Sequence, residues 1–332
     1  MVNYLVRRVF YMIILLLLLS FVAFVIIELP PGDYLSTMIQ NMKNRGLTVS
    51  QEEIDNLERL YGLDKPMYHR YFKWLFNLLQ GDMGYSLRWN APVNSLIGDR
   101  FLLTVTLTLS TLIFVYIVAL PIGIYSATHQ YSIGDYLATI FGFFGLATPN
   151  FLLALLLMFL VVKYTGWSVG GLFTFEYQLA PWSIGKVLDL LKHLPIPLIV
   201  IGTSGTAGLI RVLRSGLLDE LTKQYVITAR AKGVAERRLL FKYPIRMAIN
   251  PIISGIGALL PTLVSGATLT AIVLNLPTIG PLLLQALQAQ DMYLAGSMIM
   301  LLSTLAMIGT LISDVLLVIV DPRIRFEARA ST

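Results

Sequence analysis

The chain has 332 residues, of which 56% are hydrophobic and only 13% are charged. A soluble domain usually carries about a quarter charged residues, so this composition excludes an ordinary soluble enzyme and a disordered protein. The net charge of +6 is more typical of the basic cytoplasmic loops of a membrane protein than of nucleic-acid binding. The absence of cysteine excludes disulfides, thiolate metal sites and cysteine nucleophiles, and the scattered histidines have no metal-ligand spacing.

Six apolar stretches are long enough to cross a bilayer, which takes about 20 residues each. The sequence therefore predicts an all-α membrane protein with six transmembrane helices. The first stretch, Val9 to Leu29, is too long for a signal-peptide core, so we expect it to be retained as a helix. Pro121 and Pro149 are expected to kink the second and third helices. The remaining stretches cover residues 101–127, 136–162, 195–213, 250–275 and 293–320.

The distribution of positive charge orients these helices. Between the fourth and fifth stretches, Arg211 to Arg246 contain nine basic and three acidic residues, whereas Leu276 to Met292 contain no Lys or Arg. Two arginines precede the first stretch and three follow the sixth. With six crossings, all these basic clusters fall on one side, so we predict a multi-pass protein of the cell membrane with both termini in the cytoplasm.

This topology divides the chain into four parts. They are an N-terminal segment with the first helix (1–29), an extracytoplasmic domain (30–100), a membrane core (101–320) and a cytoplasmic tail (321–332). In the second part, Tyr71, Trp74, Leu75 and Leu78 share one face of a predicted helix. We interpret that part as a small helical cap over the membrane helices rather than as a separate ligand-binding domain.

Residues 215–243 are too charged for the membrane and too helix-prone for a plain loop. An apolar stripe with a spacing of four residues predicts one continuous helix, which Pro244 ends. The stripe consists of Leu217, Leu221, Tyr225 and Ala229. The small residues around Gly233 allow close approach of another surface, and the flanking basic residues can hold an acidic partner. From the residues alone, a protein partner and anionic lipid headgroups are equally good ligands for this helix.

Within that segment, Gln224–Val234 resembles the cytoplasmic coupling motif of ABC-importer permeases, in particular their oligopeptide/dipeptide/nickel branch. Further segments are similar to that branch in the same order along the chain. These are Leu5–Arg8, Leu29–Asp33, Tyr61–Pro66, Gly81–Ser86, Leu276–Leu283 and Asp321–Arg325. The resemblance therefore covers nearly the whole chain.

The resemblance implies a transport complex. Two permeases form the pathway, two ATPase subunits each receive a cytoplasmic permease helix in a groove, and an extracytoplasmic binding protein delivers the substrate. Since the sequence contains no G-x-x-x-x-G-K-[ST] motif, we do not expect this chain to be an enzyme; ATP and Mg²⁺ would be bound by the partner subunits. No nucleic-acid partner is implied.

The resemblance also implies roles for individual residues. The predicted ATPase-coupling residues are Tyr225, Ala229, Arg230, Ala231, Lys232, Gly233, Glu236 and Arg237. The predicted outer-loop or gate residues are Asn275, Pro277, Gly280 and Asp291.

Small and polar residues at helical spacing are candidates for the transport pathway, because helices that pack closely and still move need them. Ordinary helix packing is the alternative for each. The candidates are Thr108, Thr206, Gly255, Thr262, Gly266, Ser303 and Thr310. Asp314 is an ionisable residue within the sixth stretch, and we expect it to form a structural ion pair with a basic residue rather than to contact substrate.

The substrate class and two rival functions remain open at this point. Ala271, Asn275 and Thr278 replace the Glu and glycines usual in the branch, so peptides and oligosaccharides are both retained as substrates. Gly202–Gly205 resembles the nucleophile motif of an intramembrane serine protease, but the sixth stretch lacks the histidine that would activate Ser204. A secondary transporter or channel would need midplane charges or internal repeats. We therefore predict one permease subunit of an ABC importer, forming half of the pathway.

Overall fold

The computed structural model describes residues 2–28, 39, 65–86, 88–166, 169–256 and 267–320. They belong to two compact units. The first unit comprises the described parts of Thr104–Pro277 and Ala306–Thr332, and the second comprises those of Val2–Leu103 and Thr278–Leu305.

The described residues are mainly helical, with one short antiparallel hairpin of two strands. Strand β1 (Tyr85–Ser86) pairs with β2 (Ala91–Pro92). In chain order the helices are α1 (Val2–Glu28), α2 (Met67–Leu79), α3 (Val93–Thr128), α4 (Ile133–Ala147), α5 (Asn150–Thr165), α6 (Phe175–Gln178), α7 (Ile184–His193), α8 (Pro195–Leu221), α9 (Gln224–Ala231), α10 (Glu236–Lys242), α11 (Pro244–Ala248), α12 (Asn250–Ser254), α13 (Thr268–Val273), α14 (Ile279–Gln288) and α15 (Met292–Val320).

Four helices in the described ranges, α1, α3, α8 and α15, are long and apolar enough to cross a membrane. They match four of the predicted spans, although α8 continues to Leu221 instead of ending near residue 213. Pro121 lies within α3, which remains a single helix from Val93 to Thr128.

The predicted kink at Pro149 is a complete break, because α4 and α5 are separate helices that meet at 105°; a single span over 136–162 stays a prediction. Pro149 lies in the break, where it disfavours a helical conformation for the residue before it. Counted as one bent span, this pair raises the number of candidate spans in the described residues to five. Residues 257–266 in the middle of the predicted span 250–275, including Thr262 and Gly266, lie outside them, as does the tail 321–332.

In the second unit, the predicted amphipathic face exists on α2. Tyr71 and Trp74 are buried against Phe24 of α1, and the remaining two residues of that face pack on the same cluster. The hydroxyls of Ser20 and Tyr71 share a hydrogen bond of 2.9 Å. These contacts attach α2 directly to α1, the first predicted span.

In the first unit, the main core lies between α3, α8, α11 and α12. Leu213 and Leu217 of α8 are fully buried there, and Val115 and Ala119 of α3 pack against them. The hydroxyl of Tyr116 donates a hydrogen bond of 3.0 Å to the carbonyl of Ile252. The C-terminal end of α8 is therefore part of the core, and this packing continues to Leu221, the last residue of the helix.

Candidate functional site

The segment predicted to couple to an ATPase is a pair of short helices, α9 and α10, which we call the coupling hairpin (residues 224–242). The prediction of one continuous helix over 215–243 is wrong. The turn between α9 and α10 contains Gly233 with φ of +74°, a left-handed conformation that glycine adopts without strain. A helix cannot pass through such a residue, so the chain reverses here.

The predicted apolar stripe is also wrong. Leu217 belongs to the core of α8, whereas Val226, Ala229 and Leu239 form a small cluster of their own inside the coupling hairpin. Tyr225 remains 39% exposed. The hairpin therefore has a local core that holds its two helices together.

An exposed ion pair closes the turn of the hairpin. The Arg230 guanidinium donates to both carboxylate oxygens of Glu236, with Nη2···Oε1 at 2.6 Å and Nε···Oε2 at 3.1 Å. This bond raises the pKa of Arg230 and lowers the pKa of Glu236. Because both side chains are half exposed, the pair fixes the geometry of the turn more than it stabilises the fold.

A second bond joins the start of the hairpin to the end of α8. The Tyr225 hydroxyl donates to the Glu220 carboxylate, and partial burial of the phenol together with this bond raises the pKa of Tyr225. The Tyr225 ring also lies 6.5 Å from the ring of Tyr243 between their centroids. The first turn of α9 is therefore held by contacts on both sides.

Seven of the eight predicted coupling residues are exposed, and only Ala229 is buried. The exposed ones are Tyr225, Arg230, Ala231, Lys232, Gly233, Glu236 and Arg237. A Cβ atom added to Gly233 would meet no atom of the described chain within 4 Å. The turn thus presents a basic surface with open space in front of it.

The candidate pathway residues do not share one environment. In the first unit, Thr108 is buried, with 5% of its surface exposed, and Gly255 caps the C-terminus of α12. Thr310 is exposed, and its hydroxyl donates a hydrogen bond to the carbonyl of Ala306 in the same helix. The buried hydroxyl of Thr206 has no hydrogen-bond partner among the described residues. These positions stay candidates, as does Ser303 in the second unit. The structural ion pair expected for Asp314, within α15, stays a prediction.

The outer-loop candidates of the first unit follow α13. Asn275 has φ of +51°, and this left-handed residue turns the chain after the helix. The amide of Leu276 then bonds to the carbonyl of Ala271 at 2.7 Å, which closes the turn, and Pro277 is exposed. Asn is one of the few residues other than Gly that adopt this conformation readily, so the replacement of the branch's glycine by Asn275 is compatible with the turn.

The outer-loop candidates of the second unit are buried. Gly280 lies in the first turn of α14, and Asp291 is fully buried. The Asp291 carboxylate accepts hydrogen bonds from the Ser86 hydroxyl at 2.5 Å and from the amide of Leu294 at 3.2 Å. Asp291 therefore caps the start of α15 and joins it to β1, an arrangement that the sequence did not indicate.

The first unit contains a buried ionic cluster that the sequence patterns did not predict. Asp135 is 2% exposed, and both its oxygens receive hydrogen bonds from Arg214, Nε at 2.8 Å and Nη2 at 2.9 Å. The Ser126 hydroxyl and the Tyr131 amide also donate to this carboxylate. The cluster joins the end of α3, the start of α4 and the C-terminal part of α8. The available signal was an acid immediately before the predicted span 136–162, close enough to the membrane to need a partner.

In the described part of the chain, no histidine or carboxylate bonds to the hydroxyl of Ser204, the candidate nucleophile of the protease hypothesis. The Ser204 hydroxyl lies 3.5 Å from the amide nitrogen of Asn150. His193, the histidine nearest in sequence, bonds to the carbonyl of Asp189 at 2.8 Å.

Comparison with known proteins identifies related sequences over nearly the entire chain. Residues 119–326 match the family described as "binding-protein-dependent transport system inner membrane component", and residues 1–108 match the N-terminal family of the same transport-system membrane components. The oligopeptide transport system permease protein AppB of Bacillus subtilis is 35% identical over 98% of this chain and 100% of its own length. The dipeptide transport system permease protein DppB of Escherichia coli K12 is 30% identical over 98% of this chain and 100% of its own length. The inner membrane ABC transporter permease protein YejB of Escherichia coli O157:H7 is 33% identical over 86% of this chain and 79% of its own length.

Proposed function

Because this chain belongs to the binding-protein-dependent inner membrane permeases and is a permease subunit of an ABC importer, we propose that it forms one half of a translocation pathway for peptides. The names of two relatives that match over their full lengths, an oligopeptide and a dipeptide permease, support peptides over oligosaccharides as the substrate class. The second half of the pathway is another permease chain. An extracytoplasmic binding protein delivers the peptide.

The coupling hairpin carries this proposal. It is a short helical element with its own small core, and it lies outside the candidate spans immediately after α8. Its turn is exposed and basic, and the Arg230–Glu236 pair keeps the turn closed. We propose that this turn docks on an ATPase subunit, which hydrolyses ATP. The resulting motion of the ATPase moves the hairpin, and the hairpin moves α8.

The orientation of the chain follows from charge. If the bent pair α4–α5 returned to the side from which it entered, α8 would place the basic segment Arg211–Arg246 on the side opposite to the N-terminal arginines. If the pair crosses, both basic clusters lie on the cytoplasmic side, as the positive-inside rule requires. We therefore propose that α4–α5 crosses the bilayer and that the coupling hairpin and the N-terminus are cytoplasmic.

The test of the docking proposal uses three forms of residue 233. Gly233→Val introduces both a branched side chain and backbone strain, since φ is +74°. Asn adopts this left-handed conformation readily. Gly233→Asn therefore tests for crowding against a partner without adding backbone strain within the hairpin. Transport and copurification of the ATPase subunits are measured for both variants and for the wild-type complex.

If the turn packs on an ATPase at interior density, both variants lose copurification and transport, because overpacking typically costs ~1–3 kcal/mol, or roughly 5- to 150-fold in affinity. If Gly233→Asn assembles and transports like wild type, the space before Gly233 is not filled by a partner, and the docking assignment is wrong. A hairpin that lies on lipid headgroups predicts that result.

A further inference from the structure

A partly open groove lies in the first unit between α4 and α8, with a volume of about 180 Å³. Its lining is mainly apolar, with two hydroxyls and two guanidinium groups. The lining residues are Ala138, Thr139, Gly142, Phe143, Ala207, Ile210, Arg211, Arg214 and Ser215. Neither the coupling hairpin nor those candidate pathway residues that the structure describes contribute to it.

The charge of the groove is unbalanced. Asp135 neutralises Arg214 through two hydrogen bonds, so that guanidinium is already satisfied. Arg211 lies over the ring of Phe143, with 5.2 Å between the guanidinium carbon and the ring centroid. Within the described ranges no carboxylate forms an ion pair with Arg211. One exposed positive charge therefore faces the groove.

The length of α8 allows the groove to lie at the edge of a bilayer. Helix α8 has 27 residues, or ~40 Å at ~1.5 Å per residue, which exceeds a hydrocarbon core of ~30 Å. The part of α8 that contains Arg211 and Arg214 can therefore reach headgroup depth, because long basic side chains extend towards the interface. Helix α4 contributes exposed apolar residues such as Phe141 next to the groove.

We propose that this groove binds an anionic phospholipid. The Arg211 guanidinium bonds to the phosphate, which it matches in charge and in fork geometry, and the hydroxyls of Thr139 and Ser215 are available to further headgroup oxygens. The part of one acyl chain next to the headgroup lies on the apolar wall formed by Gly142 and Phe143. The ion pair of Asp135 with Arg214 keeps the two walls of the groove together, so the site is present before lipid binds.

Two other occupants have different chemistry. An acidic residue of a second permease chain, or the carboxylate of a transported peptide, would also satisfy Arg211. Neither needs an apolar wall long enough for a hydrocarbon chain beside the cation, and the lining of the groove is mostly apolar. Of the three occupants, the phospholipid is the one that uses both the guanidinium of Arg211 and the apolar wall.

The test places a photo-crosslinking amino acid, benzoylphenylalanine, at Thr139 in the complete transporter. The complex is reconstituted in vesicles of equal phosphatidylglycerol and phosphatidylcholine, and the adducts are identified by mass spectrometry. The matched control carries the same amino acid at Phe141, which is 73% exposed on the same helix and does not line the groove. We expect phosphatidylglycerol to be enriched among the adducts at 139 and not at 141.

Charge variants test the role of the cation. Arg211→Gln should lower the enrichment at 139 about fivefold, which corresponds to ~1 kcal/mol at ~1.4 kcal/mol per tenfold change. Arg211→Lys should retain most of it. Equal lipid ratios at 139 and 141 in the wild-type complex would overturn the proposal, as would adducts at 139 to the second permease or to the peptide. The comparison of positions 139 and 141 needs no charge variant, so it is decisive even if Arg211→Gln does not assemble.

Discussion

The carboxylate of Asp135 and the guanidinium of Arg214, 79 residues apart in sequence, form a two-point ion pair that joins α4 to α8. Asp135 is almost completely buried, and Arg214 is 28% exposed in its side chain. Arg214 lies only two turns before the end of α8, so the pair ties the C-terminal part of α8 to the start of α4.

Removal of one partner of this pair should destabilise the protein strongly. Arg214→Gln leaves the buried carboxylate of Asp135 without its counter-charge, which typically costs ~3–5 kcal/mol. Asp135→Asn leaves the partly exposed guanidinium of Arg214 unpaired, which should cost less because water can reach it. Replacement of both residues by apolar ones of similar size, Asp135→Leu with Arg214→Met, should cost less than Arg214→Gln alone. The measurement is the midpoint of heat-induced loss of the monodisperse peak in size-exclusion chromatography.

The exposed pair of the hairpin is the matched control. Arg230→Gln should leave that midpoint nearly unchanged, because exposed ion pairs contribute little to stability. If Arg214→Gln is as well tolerated as Arg230→Gln, the buried pair does not hold α4 on α8.

Two glycines with the same backbone conformation should respond differently to the same substitution. Gly81 and Gly84 both have φ of +83°, so alanine at either position costs roughly 1–2 kcal/mol in backbone strain. At Gly81 a Cβ atom meets nothing within 4 Å, whereas at Gly84 it would lie 2.6 Å from Cδ1 of Tyr293. Gly84→Ala should therefore lower the unfolding midpoint further, by an overpacking cost of ~1–3 kcal/mol.

Restoring space should reverse that difference. In a protein that already contains Tyr293→Leu, Gly84→Ala and Gly81→Ala should cost similar amounts. A Gly84→Ala penalty that persists unchanged in this background would show that the clash with the ring is not its cause.

Asp291 should act through its acceptor oxygens more than through its charge. Asp291→Asn keeps one oxygen for capping the amide of Leu294, whereas Asp291→Ala loses the cap of α15 and leaves the Ser86 hydroxyl without its acceptor. Loss of a cap costs ~0.5–2 kcal/mol, so the alanine variant should have the lower unfolding midpoint. The reverse order would contradict the capping role.

The coupling hairpin should be insensitive to mild acid. Arg230 lowers the pKa of Glu236 below its ordinary value of 4.5, so the pair is intact at neutral pH and is lost only as the pH falls through that lowered pKa. Hydrogen–deuterium exchange of residues 224–242, corrected for intrinsic rates, should be the same at pH 7 and pH 5.5. Glu236→Gln should increase exchange in the turn at both values, and an increase in the wild-type protein between them would refute this assignment.

The parts of the fold that sequence predicted are those set by local pattern. Long apolar runs predicted α1, α3 and α15, and the spacing of Tyr71 and Trp74 predicted the buried face of α2. The same reasoning failed at residues 215–243, because a spacing of four residues can continue by chance across a break. The stripe crosses the break at Thr222 and Lys223, between α8 and α9, and the conformation of Gly233 makes a second break, between α9 and α10.

Features that depend on contacts between distant residues could not be read from local pattern. The partner of Asp135 lies 79 residues away, and that of Asp291 lies 205 residues away in Ser86. The need for a partner was predictable for acids that lie immediately before the predicted spans 136–162 and 293–320, but the identity of the partner depends on how the helices pack.

The most direct test of the central claim uses single cysteines in this cysteine-free chain, at Lys192 and at Lys232. Both positions are exposed, and the proposed topology places Lys192→Cys outside and Lys232→Cys in the hairpin on the cytoplasmic side. In sealed cells, a membrane-impermeant maleimide should label only the first. In inside-out vesicles, Lys232→Cys should be protected while the ATPase subunits are bound and labelled once they are stripped off. Labelling of Lys232→Cys in sealed cells, or equal labelling with and without the ATPases, would contradict the account.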